Sequence, residues 1–231
     1  MPEALRVGGV QTFTSLDFPG RHAAVVFCQG CPLRCVYCHN PDLIPASGTS
    51  PLSWTDIRNL LEEREGLLDG VVFSGGEPLA QKALPAAIRE VRSMGYSAAL
   101  HTSGALPERF SAVLPELDWV GFDLKAPFGD YEALTGVPGA GERVRRAYAS
   151  LLRSGVEHEI RTTVWPGQLG SPEIRRIAAS IDPRFTKHFV LQEARHPRDG
   201  RPMGGEALLD AGLLASLEQR FAHVSVRRAS G

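Results

Sequence analysis

Four cysteines, Cys28, Cys31, Cys35 and Cys38, fall within eleven residues, and the chain has no others. With no distant thiol to pair with, the cluster points to a metal or redox centre rather than a disulfide framework. Cys31, Cys35 and Cys38 are spaced C-x3-C-x2-C. A loop of that reach can wrap three irons of a [4Fe–4S] cube and leave the fourth iron open to a substrate or cofactor. Gly30 and Pro32 favour the turn, and no acidic residue separates the thiolates, which avoids extra negative charge beside an anionic cluster. Cys28-x2-Cys31 paired with Cys35-x2-Cys38 could instead give four thiolates to a tetrahedral zinc. Only three residues separate the two halves, so a strain-free tetrahedron is difficult to close. Cys28 also ends an apolar run, where cysteine often serves as a small buried hydrophobe.

A loop of this kind needs a frame. Short apolar runs alternate with amphipathic stretches, the pattern of repeated βα units. Strands are expected at 23–27, 70–73, 97–100, 119–122, 159–164, 188–191 and 223–226. Helices are expected at 54–65 after Ser53 with Asp56 three residues on, at 84–94 before Gly95, and at 143–153 before Gly155, with others at 108–114, 172–180 and 207–220. Residues 41–51 read as a connecting loop. Nearly continuous hydrophobic strands suit a parallel sheet covered by helices, and seven strands are too few for a closed eight-stranded barrel. The cysteine loop follows the first strand, Ser74-Gly75-Gly76-Glu77-Pro78 the second, His101-Thr102-Ser103-Gly104 the third, Asp123-Leu124-Lys125 the fourth, Trp165-Pro166-Gly167 the fifth and Gln192-Glu193-Ala194-Arg195-His196 the sixth. All are at C-terminal strand ends, the edge where parallel α/β folds assemble their sites.

The 231 residues, 43% hydrophobic and 22% charged, suffice for a buried core in a single domain over 1–231 and exclude disorder as the dominant state. A net charge of −1 leaves no general attraction to nucleic acid. No apolar run reaches the roughly 18 residues of a membrane span, and Met1-Pro2-Glu3-Ala4 does not begin a secretion signal. A cytoplasmic protein with no membrane partner is expected. No His-x-Glu accompanies a Pro-Cys-x-x-Cys, which argues against a zinc deaminase. His22, His158, His188 and His223 lack metal-ligand spacing and are expected to be surface or packing residues. Arg143, Arg145 and Arg146 form a basic helix face that could meet an acidic redox donor.

The segment Cys31-Pro32-Leu33-Arg34-Cys35-Val36-Tyr37-Cys38-His39-Asn40 resembles the signature of the radical S-adenosylmethionine (SAM) superfamily, and Ser74-Gly75-Gly76-Glu77-Pro78 resembles its second motif. Ser15-Leu16-Asp17-Phe18-Pro19-Gly20, Gln29-Gly30-Cys31, Cys38-His39-Asn40-Pro41, Asp123-Leu124-Lys125 and Tyr131-Glu132-Ala133-Leu134-Thr135-Gly136 are similar to segments of the activating enzymes of glycyl radical proteins. Within that group the likeness is greatest to anaerobic ribonucleoside-triphosphate reductase activating proteins. It runs over about residues 14–190 and weakens beyond them.

The resemblance implies an α/β fold, a partial (βα)6 TIM-like barrel of mostly parallel strands. It also implies one [4Fe–4S] cluster on Cys31, Cys35 and Cys38, with Cys28 outside the motif, and SAM on the open iron. One-electron cleavage of SAM would give methionine and a 5′-deoxyadenosyl radical that removes hydrogen from a glycine of a partner. By the same likeness, the backbone of Gly75 and Gly76 and the Glu77 carboxylate would receive the methionyl ammonium. Tyr37 would lie near adenine and Lys125 would meet the methionyl carboxylate; Asp123, on the same face as Lys125 because strand side chains alternate, would point into the site as well. Thr102 and Ser103 would hydrogen-bond the cofactor, and Arg161 would lie by the ribose, with Gln192 as a further candidate. The family's Asp-Thr-Asn-Gly is His101-Thr102-Ser103-Gly104 here, so a carboxylate is missing at 101. The implied partners are a glycyl radical enzyme, anaerobic ribonucleotide reductase, and an external donor, flavodoxin or ferredoxin, because no cysteines remain for a second cluster. Two other functions compete: radical SAM chemistry on a small molecule, as in 7-carboxy-7-deazaguanine synthase, and a zinc-bound structural or adaptor protein. The glycine segment could also be an ordinary βα turn, Asp123 and Lys125 a strand-end ion pair, and Tyr37 loop packing.

Overall fold

Eight strands form one sheet in sequence order in a computed structural model, which describes residues 1–47, 50–196, 200–204 and 211–229. They are β1 (Val7–Thr14), β2 (Ala23–Cys28), β3 (Gly70–Gly75), β4 (Ser97–Thr102), β5 (Trp119–Asp123), β6 (Glu157–Val164), β7 (His188–Glu193) and β8 (His223–Arg227). β1 is antiparallel to β2, and every later neighbour is parallel. The helices among the described residues are α1 (Trp54–Glu62), α2 (Leu84–Ser93), α3 (Pro107–Val113), α4 (Tyr131–Thr135), α5 (Ala140–Ser154), α6 (Ser171–Ser180) and α7 (Ala211–Glu218). Six βα units, β2–α1 through β7–α7, make the expected partial barrel, and β8 closes the series.

The strand count corrects the sequence reading, which expected seven. β1 was not expected because Gly8 and Gly9 interrupt its apolar run and most of the strand is half-buried or exposed, so it lacks the continuous hydrophobic signal of a central strand. The short helix α4 was also not expected. Ser53 Oγ accepts from the Asp56 amide to cap α1, and the Asp56 carboxylate accepts from the Ser53 amide, the reciprocal cap that the sequence suggested. Gly155 ends α5 at φ 72°. Of the helix expected at 207–220, residues 207–210 lie outside the described residues.

Strand alternation sorts side chains into two layers. Ala24, Val26, Val71, Phe73, Ala98, Leu100 and Ile160 pack outward in the large core under the helices. Ala23, Val25, Val72, Ala99 and Trp119 face inward, joined by Phe18 from the segment after β1. Phe18 is buried in the barrel floor under the Arg21 guanidinium, 5.1 Å from the ring centroid. The polar inward positions lie above this plug, toward the C-terminal strand ends.

Candidate active site

The cysteine loop and the glycine loop are fastened to each other by backbone. Gly76 N–H donates to Cys28 C=O and Glu77 N–H to Gly30 C=O, both at 2.9 Å. Gly30 and Cys31 N–H donate to the carbonyls of Leu43 and Ile44 at 2.8 and 3.1 Å. Gly75 adopts φ 110°, which side-chain-bearing residues rarely take. A Cβ at Gly76 would lie 2.5 Å from Gly30 O and 2.8 Å from Leu43 O, so only glycine lets the two loops lie this close. From the opposite side, the Arg34 and Val36 amides donate to Thr135 and Leu134 C=O at 2.9 and 3.3 Å. The last carbonyls of α4, which have no partner within the helix, thus brace the cysteine loop. Tyr131 at the start of α4 accepts from Lys125 N–H at 2.9 Å.

These loops wall a cavity of about 360 Å³ at the C-terminal strand ends. Cys31, Cys35 and Cys38 line it, and Cys28 is completely buried behind the end of β2 and does not. Burial pushes the Cys31 thiol up to about 12, with the nearby Glu77 carboxylate adding to the shift. Burial also raises Cys35, against the Lys125 cation, which lowers it. Thiols so placed become thiolates when a metal supplies positive charge. Tyr37 is buried on the same wall, stacked on Trp165 with centroids 5.6 Å apart.

Gly75, Gly76, Thr102, Ser103, Asp123, Lys125 and Gln192 also reach the cavity. Lys125 Nζ stands 3.6 Å from Asp123 Oδ2, and Arg161 Nε donates to Asp123 Oδ1 at 2.7 Å. Burial alone would raise the Asp123 carboxyl, but the Arg161 and Lys125 cations outweigh it and hold the group at about 2. Burial likewise works against the Lys125 ammonium, and Asp123 overcomes it, raising Lys125 well above its ordinary value. The site therefore keeps two cations on one shared carboxylate.

Two expected site residues do not reach the wall. Glu77 is 1% exposed; its Oε1 accepts from Thr102 Oγ at 2.7 Å and Leu79 N–H at 3.3 Å, its Oε2 from Ser103 N–H at 2.9 Å and Ser103 Oγ at 2.5 Å. Burial raises its carboxyl, and these four donors oppose the shift. Arg161 lies beneath the cavity, over Gly121, where a Cβ would come within 2.8 Å of its guanidinium.

Other lining residues were not singled out from the sequence: His39, Asn40, Ser74, Thr163, Glu193, Arg195, Arg227 and Arg228. His39 Nε2 accepts from Arg195 N–H at 2.8 Å. Arg227 makes two bonds, of 2.6 and 2.8 Å, to the buried Glu159 carboxylate. His39 and Asn40 stand in the quoted cysteine motif and could have been taken from it, whereas Arg227 at the end of β8 and Arg228 after it carry no spacing signal. On the outer face of α5, Arg145 and Arg146 pair with Glu142 and Glu108, each at 2.8 Å.

The donor set fits an iron–sulfur cube better than zinc. Three thiols of one loop open on the cavity and the fourth is sealed away. Among the described residues no three His, Cys, Asp or Glu side chains gather around one ion position, which a cube does not require because its ligands sit on different irons.

The model of the Radical SAM superfamily matches residues 25–175. The chain is 32% identical to the pyruvate formate-lyase-activating enzyme of Clostridium pasteurianum over 187 residues, 76% of each chain. Among solved structures, a domain of the pyruvate-formate lyase-activating enzyme from Bacteroides vulgatus superposes with TM-score 0.56 at 20% identity, covering 68% of this chain and 98% of that one. SuiB of Streptococcus suis bound to S-adenosylmethionine superposes with TM-score 0.64 at 14% identity, covering 86% of this chain but 48% of that longer one. The two structures speak for the fold alone. The family match and the curated relative place the chain in the radical SAM superfamily, among the activating enzymes of glycyl radical proteins.

Proposed function

We propose that this chain generates a glycyl radical on an anaerobic ribonucleotide reductase, using one [4Fe–4S] cluster held by Cys31, Cys35 and Cys38. The observation that carries the reading is that these three thiols open on the same cavity as the Lys125 cation while Cys28 is sealed behind it. When bound, the cluster and SAM supply a one-electron cleavage of the sulfonium to methionine and a 5′-deoxyadenosyl radical, which takes a Cα hydrogen from glycine. The protein's part is to hold and orient. Lys125 receives the methionyl carboxylate, kept charged by Asp123 and aimed by the Tyr131 hydroxyl on its own amide. The glycine loop offers backbone oxygens to the methionyl ammonium. Tyr37, stacked on Trp165, gives adenine an apolar face. Thr102 and Ser103 spend their hydroxyl protons on Glu77 and retain acceptor lone pairs for the cofactor. Arg161 serves the cofactor through Asp123 rather than by touching ribose.

The reductant is flavodoxin or ferredoxin, since the four cysteines leave none for a second cluster. Residues 15–20 and 131–136 support a glycyl radical partner in general, and the choice of anaerobic ribonucleotide reductase among such partners rests on the likeness of the chain as a whole to its activating proteins. Among the described residues no helix is long and apolar enough to cross a membrane.

The test is to mix reduced, reconstituted protein with SAM and an anaerobic ribonucleotide reductase of the same source and to look for an organic radical by electron paramagnetic resonance. A glycine-centred doublet is expected. A radical on pyruvate formate-lyase alone would change the partner, and deoxyadenosine formed with a small molecule but with no protein radical would overturn the proposal.

A further inference from the structure

Of the Ser15–Gly20 motif only Phe18 has a role above, as the plug of the barrel, and His101 stands where the family has a carboxylate. The two features are connected. Ser74 and His101 belong to the inward-facing set, two residues above Val72 and Ala99, and both line the cavity. His101 Nε2 lies 2.9 Å from the Asp17 carbonyl oxygen, and His101 Nδ1 lies 3.3 Å from Ser74 Oγ. A carbonyl can only accept, so Nε2 carries the proton. The ring is buried, with Arg161 beside it, and is held neutral, its value lowered to about 3. Nδ1 is therefore a bare lone pair, and the bond between the two side chains must run from the Ser74 hydroxyl to His101. Ser74 spends its only proton there, and its oxygen is left as an acceptor.

That acceptor stands directly before Gly75-Gly76, while the neighbouring carboxylate is already saturated: Glu77 takes four hydrogen bonds, from Thr102, Leu79 and twice from Ser103. A carboxylate offers about four lone-pair sites, so Glu77 has none left for an incoming ammonium. We propose that Ser74 Oγ accepts a hydrogen bond from the methionyl ammonium of SAM, and that the Asp17 carbonyl, acting through His101, is what fixes Ser74 in the accepting state. Ser74 is thus a binding residue, and His101 and residue 17 are positioning residues. The motif after β1 both plugs the barrel with Phe18 and sets the hydrogen-bond polarity of the cavity wall.

The proposal rests on the reading that the cavity takes SAM, and its test is read from binding rather than turnover. S-Adenosylhomocysteine carries the ammonium, and 5′-methylthioadenosine lacks it. Their affinities for the reconstituted protein are measured by calorimetry for wild type, Ser74→Ala and His101→Phe. Ser74→Ala is expected to weaken S-adenosylhomocysteine about tenfold, as a charge-assisted bond requires, and to leave 5′-methylthioadenosine within about twofold. His101→Phe, which keeps ring volume but frees the Ser74 proton, should shift the same ratio in the same direction by a smaller factor. In the oxidised holoprotein, nitrogen-15 spectra should show His101 with its proton on Nε2. Equal losses for both ligands, no loss for either, or a proton on Nδ1 would overturn the proposal. If the affinity ratio moves as expected but no glycyl partner gains a radical, the proposed function falls and this assignment stands. If wild type binds no S-adenosylhomocysteine, both fall.

Discussion

The two sides of the cavity are built differently. On the β2–β4 side the walls are held by backbone bonds between loops, among them Gly76 to Cys28 and Glu77 to Gly30. On the β6–β8 side they are held mainly through side chains: Arg227 on Glu159, the Ala229 amide on Glu193 Oε2 at 3.0 Å, and the Arg195 amide on His39. A backbone-built wall depends on glycines that cannot be replaced, and it presents the same shape whatever surrounds it. A side-chain wall can change residue by residue without disturbing the strands beneath. The rigid side carries the cysteine and glycine loops, and the adjustable side carries the residues of β6 to β8 that complete the cavity.

The largest effect is expected from breaking the rigid side. In Gly76→Ala the new Cβ meets the Gly30 and Leu43 carbonyl oxygens at 2.5 and 2.8 Å, and backbone cannot swing away as a side chain can. A loss of about 3 kcal/mol or more is expected, with iron and acid-labile sulfide falling to background. A folded variant with full iron would erase the distinction between the two sides.

Acid tests the floor between them. The unfolded chain protonates His101 near its ordinary value of 6.5, whereas the folded chain resists until about 3. Stability from this residue is therefore complete above pH 6.5 and is lost as pH falls toward 3. The slope is up to about 1.4 kcal/mol per pH unit. Melting temperatures of wild type should fall over that window more steeply than those of His101→Phe; parallel curves would remove His101 from the account.

Glu159→Gln probes the adjustable side. It breaks the Arg227 pair, in which Glu159 is 5% exposed and Arg227 31%, so a cost of about 1–2 kcal/mol is expected after allowing for solvent on the arginine. Iron content should not change, and a variant that loses its iron would show the two sides to be coupled. Lys125→Ala has the smallest expected effect: the cluster is kept and SAM binding weakens about tenfold, some 1.4 kcal/mol. An unchanged affinity in a titration would take the carboxylate role from Lys125.

What could be read from the sequence follows the same divide. The cysteine loop, the glycine loop and the Asp123–Lys125 pair were legible because each is a short segment at a strand end. The seven strands from β2 onward were legible from their apolar runs, and β1 was not, because an exposed edge strand with two glycines carries no such run. The resemblance named Arg161 but not its depth: it sits one pleat below Thr163, which reaches the cavity while Arg161 does not. The capture of Glu77 by Thr102 and Ser103 depends on two loops meeting in space, and so does the link from Asp17 to His101, 84 residues away. The Glu159–Arg227 pair spans 68 residues and left no local pattern to find.

The central claim is that three cysteines, and not Cys28, hold a cluster with one iron open to SAM. The electron paramagnetic resonance spectrum of reduced, reconstituted Cys28→Ala, recorded before and after SAM is added, tests it most directly. The account predicts a cluster signal in that variant whose line shape changes when SAM binds. A variant without a cluster, or a signal that SAM leaves unaltered, would contradict it.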